Sequence, residues 1–371
     1  MRMFADFGAD VIKIESPPGV DPNEGMGGPR HGSDFQNLHR NKRSIALNLK
    51  TETGLAIFKK LATTADIVVE NYRPDVKFRL GFDYESLKKI NPRIILASVS
   101  GFGQDGPYAN RPGFDQIAQG MGGLMAITGL PGQGPVRAGI AVADSSAGLY
   151  AALGILIALA ERESSGEGQW VQTSLLQAQI AMNDFQAARY LMSGEIPKQA
   201  GNDHPTSMPT SVYKTADGYI NIAASGEGNW RRLCKALDRN ELADDARFVT
   251  EIKRGENRIE LNAAINIASA NHGSAALIEK LNAAGVPCGP IYAMDEVFAD
   301  PQVQHLRCAD RVTHPTLGEI NLVGQPVKLS RTPAAIVDPT PELGQHSAAI
   351  LAELGYTDAQ ISQLREDKII L

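Results

Sequence analysis

Short apolar runs alternate with amphipathic ones along the first half of the chain. "ADVIKIE" (9–15) reads as a strand, and a Gly- and Pro-rich loop leads to a second, "SIALNL" (44–49). "TETGLAIFKKLATT" then has helical spacing, with Thr51 placed to cap it and Ala56, Leu61 and Ala62 contributing to its buried face. "DIVVENY", a helical "DYESLKKI" and "RIILASVSGFG" continue the pattern. Strands alternating with helices predict an α/β fold with a parallel sheet. A long helix is expected after Asp144. Its most apolar run, "LYAALGILIALA", has 12 residues, too short to span a bilayer, and reads as buried. "VQTSLLQAQIAMNDFQAARYLMSG" reads as a further helical stretch.

At the very start, "MRMFADFG" reads as the tail of a helix with Gly8 at its C-cap. A parallel strand is normally fed by a strand–helix crossover, and no strand stands ahead of this helix. The expectation is that a first strand and most of a first helix are missing. Near residue 200 the texture changes. "GNDHPTSMPTSVYKTADG" is rich in turn formers, and it leads to a strand, "YINIAAS", and to helices in "NWRRLCKALD", "NRIELNAAINIASA" and "GSAALIEKLNAAG". The last ends at Gly285, with Pro287 just beyond. Residues 1–204 are read as a large domain, 205–305 as a small one and 306–371 as a return to the large domain.

Composition narrows the classes. Hydrophobic residues make up 43% and charged residues 21%, so 371 residues can bury two ordinary cores without disulfides. A net charge of −6 gives no reason to expect a nucleic acid, so an anion site must come from a local basic cluster. Cys234, Cys288 and Cys308 form no CxxC pair, and the histidines form no HExxH, so no metal site is expected. No signal peptide is visible, and the expected location is the cytoplasm.

Three local features carry chemistry. "GFGQDG" (101–106) satisfies G-x-G-x-x-G after a strand, but Pro107 and Pro112 deny it the helix that a dinucleotide needs. It reads as a Gly-rich turn at the end of a strand. Arg40, Lys42, Arg43 and Lys50, with Arg73, Lys77 and Arg79, are a local positive excess in an acidic chain. They fit either a phosphate site or a solvated face. Asp144, opening "DSSAG", fits either an N-cap or a carboxylate held ionised by the helix dipole and free to act as a nucleophile.

"FADFGADVIKIESP", "NKRSIALNLKTETG", "VENYRP", "LGFDYESLKKINPRIILASVSGFGQDGPYANRPGFDQIAQ", "DSSAG", "GEGQWV" and "GVPCGPIYAMDEV" occur in this order. Together they resemble the class III coenzyme A-transferases (CaiB/BaiF type), the group of formyl-CoA transferase and the α-methylacyl-CoA racemases. The resemblance implies a Rossmann-like large domain built from both chain ends, a smaller α/β domain and an interlocked homodimer. It implies no permanently bound cofactor, with coenzyme A or acyl-CoA as substrate and a small carboxylic acid as partner. Neither a nucleic acid nor a membrane is an expected partner. Asp144 falls at the position of the family's nucleophile. CoA contacts fall on Ser16, Leu47, Asn48, Leu49, Lys50, Asn71, Tyr72, Arg73, Arg79, Pro112, Gly113, Phe114 and Asp115, with Lys50 and Arg79 serving the phosphates. Pro112 stands where formyl-CoA transferase has a lysine, and Arg111 beside it is a substitute. His204 and Glu227 are the expected substrate contacts. "GNDHPTSMPTS" stands where formyl-CoA transferase has a glycine-rich loop, which points away from formyl-CoA and oxalate. Phe114 stands where the racemases have a histidine base, which disfavours racemisation. The alternatives are an acyl-CoA racemase or isomerase, or an N-terminally truncated, non-catalytic CoA-binding homologue.

Overall fold

A computed structural model describes residues 1–21 and 27–371. The chain divides into two compact units: Met1–Ala118 with Val142–Gln179 and Phe298–Leu371, and Gln119–Ala141 with Ile180–Val297. The second unit thus includes the 119–141 segment and begins ahead of residue 205.

In the first unit, β1 (Ile12–Glu15) and β2 (Arg43–Ala46) pair in parallel, with Ile12 opposite Arg43 and Glu15 opposite Ala46. A second parallel sheet has the order β3 (Ile67–Glu70), β4 (Ile95–Ser100), β5 (Trp170–Ser174). Its central strand is covered on both faces: Ile95, Leu96 and Ala97 are wholly buried. β5 corrects the helical reading of "VQTSLLQAQ". Val171 and Thr173 lie in a strand on β4, and the helix begins only at Leu175. The Arg2–Asp6 helix has Phe7 at its C-cap, one residue ahead of the expected Gly8, which stands just beyond it. Gly8 takes φ +94°, its N–H reaches Ala5 O at 3.0 Å, and Ala9 N–H reaches Phe4 O at 3.0 Å.

The Glu52–Ala62 helix is capped by Thr51, whose Oγ1 accepts from Gly54 N–H at 3.0 Å. Its buried face is Gly54, Ile57, Phe58 and Ala62, while Ala56, expected inside, is exposed. The packing of Ile57 and Phe58 sets the rotation of the helix, which a choice among small residues could not reveal. Ile45, Leu47, Ile57, Leu87, Ile94 and Leu96 share one core with Ile350, Leu351 and Ile361 from the Ser347–Glu353 and Asp358–Glu366 helices. Both ends of the chain therefore close on the same strands.

The Val142–Ser165 helix corrects a further expectation. It buries Ala143, Ala147, Ala151, Ile155 and Ala158 along one face, yet Leu149, Leu153, Leu156 and Ile157 on the opposite face are exposed. An 18-residue window of this helix is long and apolar enough to cross a membrane by length and composition, and 33% of that window is buried.

In the second unit β6 (Thr210–Lys214), β7 (Tyr219–Ala223) and β8 (Cys288–Pro290) form an antiparallel sheet. β6 lies in the segment read as a loop. Its alternation is short, and Ser211 and Tyr213 are buried while Val212 is not. Tyr213, Ile220 and Ile222 pack on Trp230, Leu233, Leu261, Ile265, Leu277 and Leu281 of the covering helices. β9 (Ala309–His314) and β10 (Gly318–Val323) form an antiparallel hairpin in the first unit.

Candidate active site

Asp144 is the third residue of its helix, which starts at Val142, so it is not the N-cap. That role is taken from outside. Asp115 Oδ1 accepts from Ala143 N–H at 2.8 Å and from Asp144 N–H at 3.4 Å. Asp115 is buried, and Ala143 and Ala147 pack with Ala118, Leu175 and Ala178 beneath it. The Asp144 carboxylate is thereby relieved of capping. Its residue is exposed, and among the described residues no hydrogen bond reaches its oxygens. Desolvation of its partly covered carboxyl, and then the charge of Asp115, push its pKa above the ordinary aspartate value. The place of this group in the first turn of the helix acts the other way, favouring the charged form.

The segments expected to touch CoA follow the carboxyl ends of the parallel strands. Ser16, after β1, is exposed. After β2, Leu47 is in the core, and its N–H bonds to Glu15 O at 2.7 Å, so its side chain faces away from solvent. Asn48 Oδ1 accepts from Lys50 N–H at 3.1 Å and Asn48 O accepts from Thr51 Oγ1 at 2.9 Å, making a tight turn into the next helix. Leu49 packs on the core edge, and the exposed Lys50 donates from Nζ to Val20 O at 2.5 Å. After β3, Asn71, Tyr72 and Arg73 are exposed. Tyr72 N–H donates to Glu70 Oε2 at 2.8 Å, and burial, then Asp21 and Glu70, raise the pKa of its hydroxyl. Arg73 precedes the Pro74–Leu80 helix and Arg79 lies in its last turn. Both are exposed, and neither guanidinium has a partner among the described residues.

The rest of the basic cluster is engaged by the protein's own groups, three buried and Arg43 half-buried. Arg40 is buried against Asp6 at 2.7 Å, and Lys42 donates to Leu38 O at 2.9 Å, with burial lowering its pKa to about 8. Arg43 binds Asp10 at 2.5 Å and Glu353 at 2.7 Å. Lys77 is wholly buried, 3.3 Å from Glu70. Of the seven, Lys50, Arg73 and Arg79 are exposed and are bound to no acid among the described residues. The sequence could not separate them, because Arg40, Arg43 and Lys77 meet their acids far away in the chain or across a turn and Lys42 meets a backbone carbonyl.

The loop after β4 contains no helix before Asp115, as the two prolines demand. A Cβ on Gly101 would lie 2.9 Å from Gly113 Cα, and one on Gly113 would lie 2.9 Å from Gly101 Cα, so the two ends of this loop meet where neither tolerates a side chain. Arg111 stacks 3.6 Å over Tyr108, Pro112 is exposed, and Phe114 is exposed beside the buried Asp115. In the second unit His204 Nδ1 accepts from Thr206 N–H at 3.2 Å and Ser207 N–H at 2.9 Å, and its ring stacks on Phe185 at 5.7 Å. Glu227 pairs with the buried Arg254 at 3.0 Å.

The fold also gathers His31, His314 and Glu342, whose ligand atoms lie within 4.8 Å of one another, where the sequence spacing suggested no metal set. Two facts speak for a hydrogen-bonded group instead. His314 Nδ1 accepts from Thr316 N–H at 3.1 Å and Leu317 N–H at 3.3 Å, which leaves its proton on Nε2, and His31 pairs with Glu342 at 2.7 Å.

The sequence model of CoA-transferase family III matches residues 1–347. A succinate–glutarate CoA-transferase of Agrobacterium fabrum is 41% identical over 95% of this chain and 90% of its own length. A succinyl-CoA–D-citramalate CoA-transferase of Chloroflexus aurantiacus is 38% identical over 100% of this chain and 93% of its own. The crystal structure of a CaiB/BaiF family protein from Brucella suis superposes with a TM-score of 0.82 at 37% identity, covering 95% of this chain and 94% of that one. The sequence match spans nearly the whole chain and the α/β fold agrees, so this protein is an enzyme belonging to CoA-transferase family III.

Proposed function

We propose that this protein moves coenzyme A between two small dicarboxylic or hydroxydicarboxylic acids through covalent intermediates on Asp144. The observation that carries this reading is the Asp144 carboxylate, left exposed and unpaired among the described residues because Asp115 caps its helix. In the first step an Asp144 oxygen attacks the donor thioester carbonyl. The C–S bond breaks, giving a mixed anhydride and CoA thiolate. The thiolate then attacks the aspartyl carbonyl, releasing the donor acid and leaving an aspartyl-CoA thioester. The acceptor carboxylate repeats the sequence in reverse, so thioester and anhydride exchange group energy without ATP. Lys50, Arg73 and Arg79 supply cations for the CoA phosphates. The dicarboxylate class rests on the substrates named for the two relatives.

The large unit is read as Rossmann-like and the working form as a homodimer. The apolar Leu149, Leu153, Leu156 and Ile157 face supports the latter, since a helix apolar on both sides needs cover. A racemase reading lacks its second base, because Phe114 carries no proton.

The test is isotopic. Glutarate labelled with oxygen-18 in both carboxylates is turned over with succinyl-CoA, and the peptide containing Asp144 is weighed. One labelled oxygen should enter Asp144 in a single turnover, and no other residue should be labelled; Asp144→Asn should neither transfer CoA nor take up label. Turnover without label in the peptide refutes the covalent route.

A further inference from the structure

Lys77 is the one cation of the basic cluster that is wholly buried without a direct hydrogen bond to a carboxylate, although it sits between two segments assigned above to acyl-CoA. Its Nζ lies 3.3 Å from Glu70 Oε1, donates to Pro74 O at 3.3 Å and donates to Gln104 Oε1. The indole of Trp170 covers it, with the ring centre 5.5 Å from Nζ. On one side of this ammonium, Glu70 Oε2 accepts from Tyr72 N–H at 2.8 Å and so fixes the backbone of the 71–73 turn. On the other, Gln104 belongs to the loop that follows β4. The orientation of the Gln104 amide is dictated: a lysine can only donate, so the amide oxygen must face it.

As a stabilising device this group is poor. Glu70 Oε1 and Gln104 Nε2 are both buried and make no hydrogen bond among the described residues. A buried ion pair with unsatisfied atoms is often matched or bettered by apolar side chains of the same volume. What apolar side chains could not do is hold a turn and a loop at one spacing through directional bonds.

We propose that Glu70, Lys77 and Gln104 form a buried bridge that sets the position of the 101–114 loop relative to the 71–73 turn, which makes Lys77 and Gln104 positioning residues for acyl-CoA. The bridge extends toward the nucleophile. The 101–114 loop closes where Gly101 meets Gly113, and it ends at Asp115, whose carboxylate holds the first turn of the Asp144 helix. Correct seating of the CoA turn and correct presentation of Asp144 are then coupled through a single chain of contacts in the first unit. The inference rests on the reading that the 71–73 and 111–115 segments touch CoA.

Removing Lys77 alone would leave Glu70 buried without its counter-charge and endanger folding. Gln104 is the informative position. Gln104→Leu keeps the ion pair and cuts the link to the loop, whereas Gln104→Glu keeps an oxygen facing Lys77. Two measurements on the full-length protein are made for each variant: steady-state kinetics with succinyl-CoA and glutarate, and amide hydrogen exchange with and without CoA. In the unsubstituted protein CoA should protect the amides of 71–76 and of 102–106. Gln104→Leu should melt close to wild type, lose on the order of tenfold or more in kcat/KM for succinyl-CoA, keep its KM for glutarate and lose the CoA-induced protection of 102–106. Gln104→Glu should restore most of both. Equal kinetics and equal protection in Gln104→Leu would overturn the bridge, as would a Gln104→Glu variant no better than Gln104→Leu. Absence of CoA protection at 71–76 in the unsubstituted protein would instead refute the assignment of the CoA segments, and the oxygen-18 result stands apart from both.

Discussion

At Asp144 two electrostatic effects compete. Its place in the first turn of a helix favours the charged form by about 0.3–1 kcal/mol in ordinary surface settings. Partial desolvation, then the neighbouring Asp115, act the other way and raise the pKa of the carboxyl. An acid with a raised pKa in the folded state binds its proton more tightly there than in the unfolded chain. Its contribution to stability therefore falls as pH rises from the ordinary aspartate value, about 3.9, through the raised one. Asp144→Asn should accordingly melt no lower than wild type at pH 7, and slightly higher. The difference should shrink as the pH is lowered and vanish below the ordinary value, where the carboxyl is protonated in both states. Melting curves of the two proteins between pH 3 and 8 measure it, and a variant that is less stable at pH 7 than at pH 3.5, relative to wild type, would show that the carboxylate stabilises the fold. The sequence singled this residue out through the seven ordered motifs. Its environment was not. The cap comes from Asp115, and no local pattern tells which of two acids 29 positions apart will serve a helix end and which will be left over.

The turn at Asn48–Lys50 and the helix that follows show how an element can depend on one missing side chain. Gly54 is in the first turn of the Glu52–Ala62 helix, where alanine would ordinarily stabilise by about 1 kcal/mol. Here a Cβ would lie 2.0 Å from Asn48 O and 2.8 Å from Asn48 C, both backbone atoms that cannot rotate away. The clash must outweigh propensity. Gly54→Ala is expected to destabilise by about 1–3 kcal/mol, the range for overpacking, and to weaken CoA binding because the displaced atoms belong to the 47–50 turn. Urea denaturation and calorimetric titration with CoA check both effects, and an unchanged or increased stability would show that the turn can yield. Helices with strong caps, such as this one and the Tyr84–Ile90 helix behind Asp83, were readable from the chain. β5 and β6 were not. Each is five residues long and borders a segment of another character, and each gains its hydrogen bonds only from a strand elsewhere: β4 for β5 and β7 for β6. A short alternation next to an apolar helix is absorbed into the helical period when the partner is out of view.

At the scale of the whole molecule the Val142–Ser165 helix presents a second apolar face that needs cover. Ala143, Ala147, Ala151, Ile155 and Ala158 form the buried stripe, and Leu149, Leu153, Leu156 and Ile157 lie on the opposite side at helical spacing. The sequence showed the apolar run, but it could not tell a face buried by this chain from a face left for another. These four side chains are 51–61% exposed, so full burial of each would return roughly half of the ~1.5–3 kcal/mol of a fully exposed one, and the four together make association with a complementary surface favourable. A second copy supplies one by symmetry, and a stable interface of this kind typically buries about 1,200–2,000 Å² in total. The protein should therefore sediment as a dimer at micromolar concentration. Leu153→Arg combined with Leu156→Arg places two charges in the middle of the face, touching no residue of the proposed active site. That variant should sediment as a monomer with its helical circular dichroism retained. Because the same helix presents Asp144 from its first turn, CoA transfer should fall with the dimer. A variant that remains dimeric and fully active would show that this face is covered by something other than a second copy.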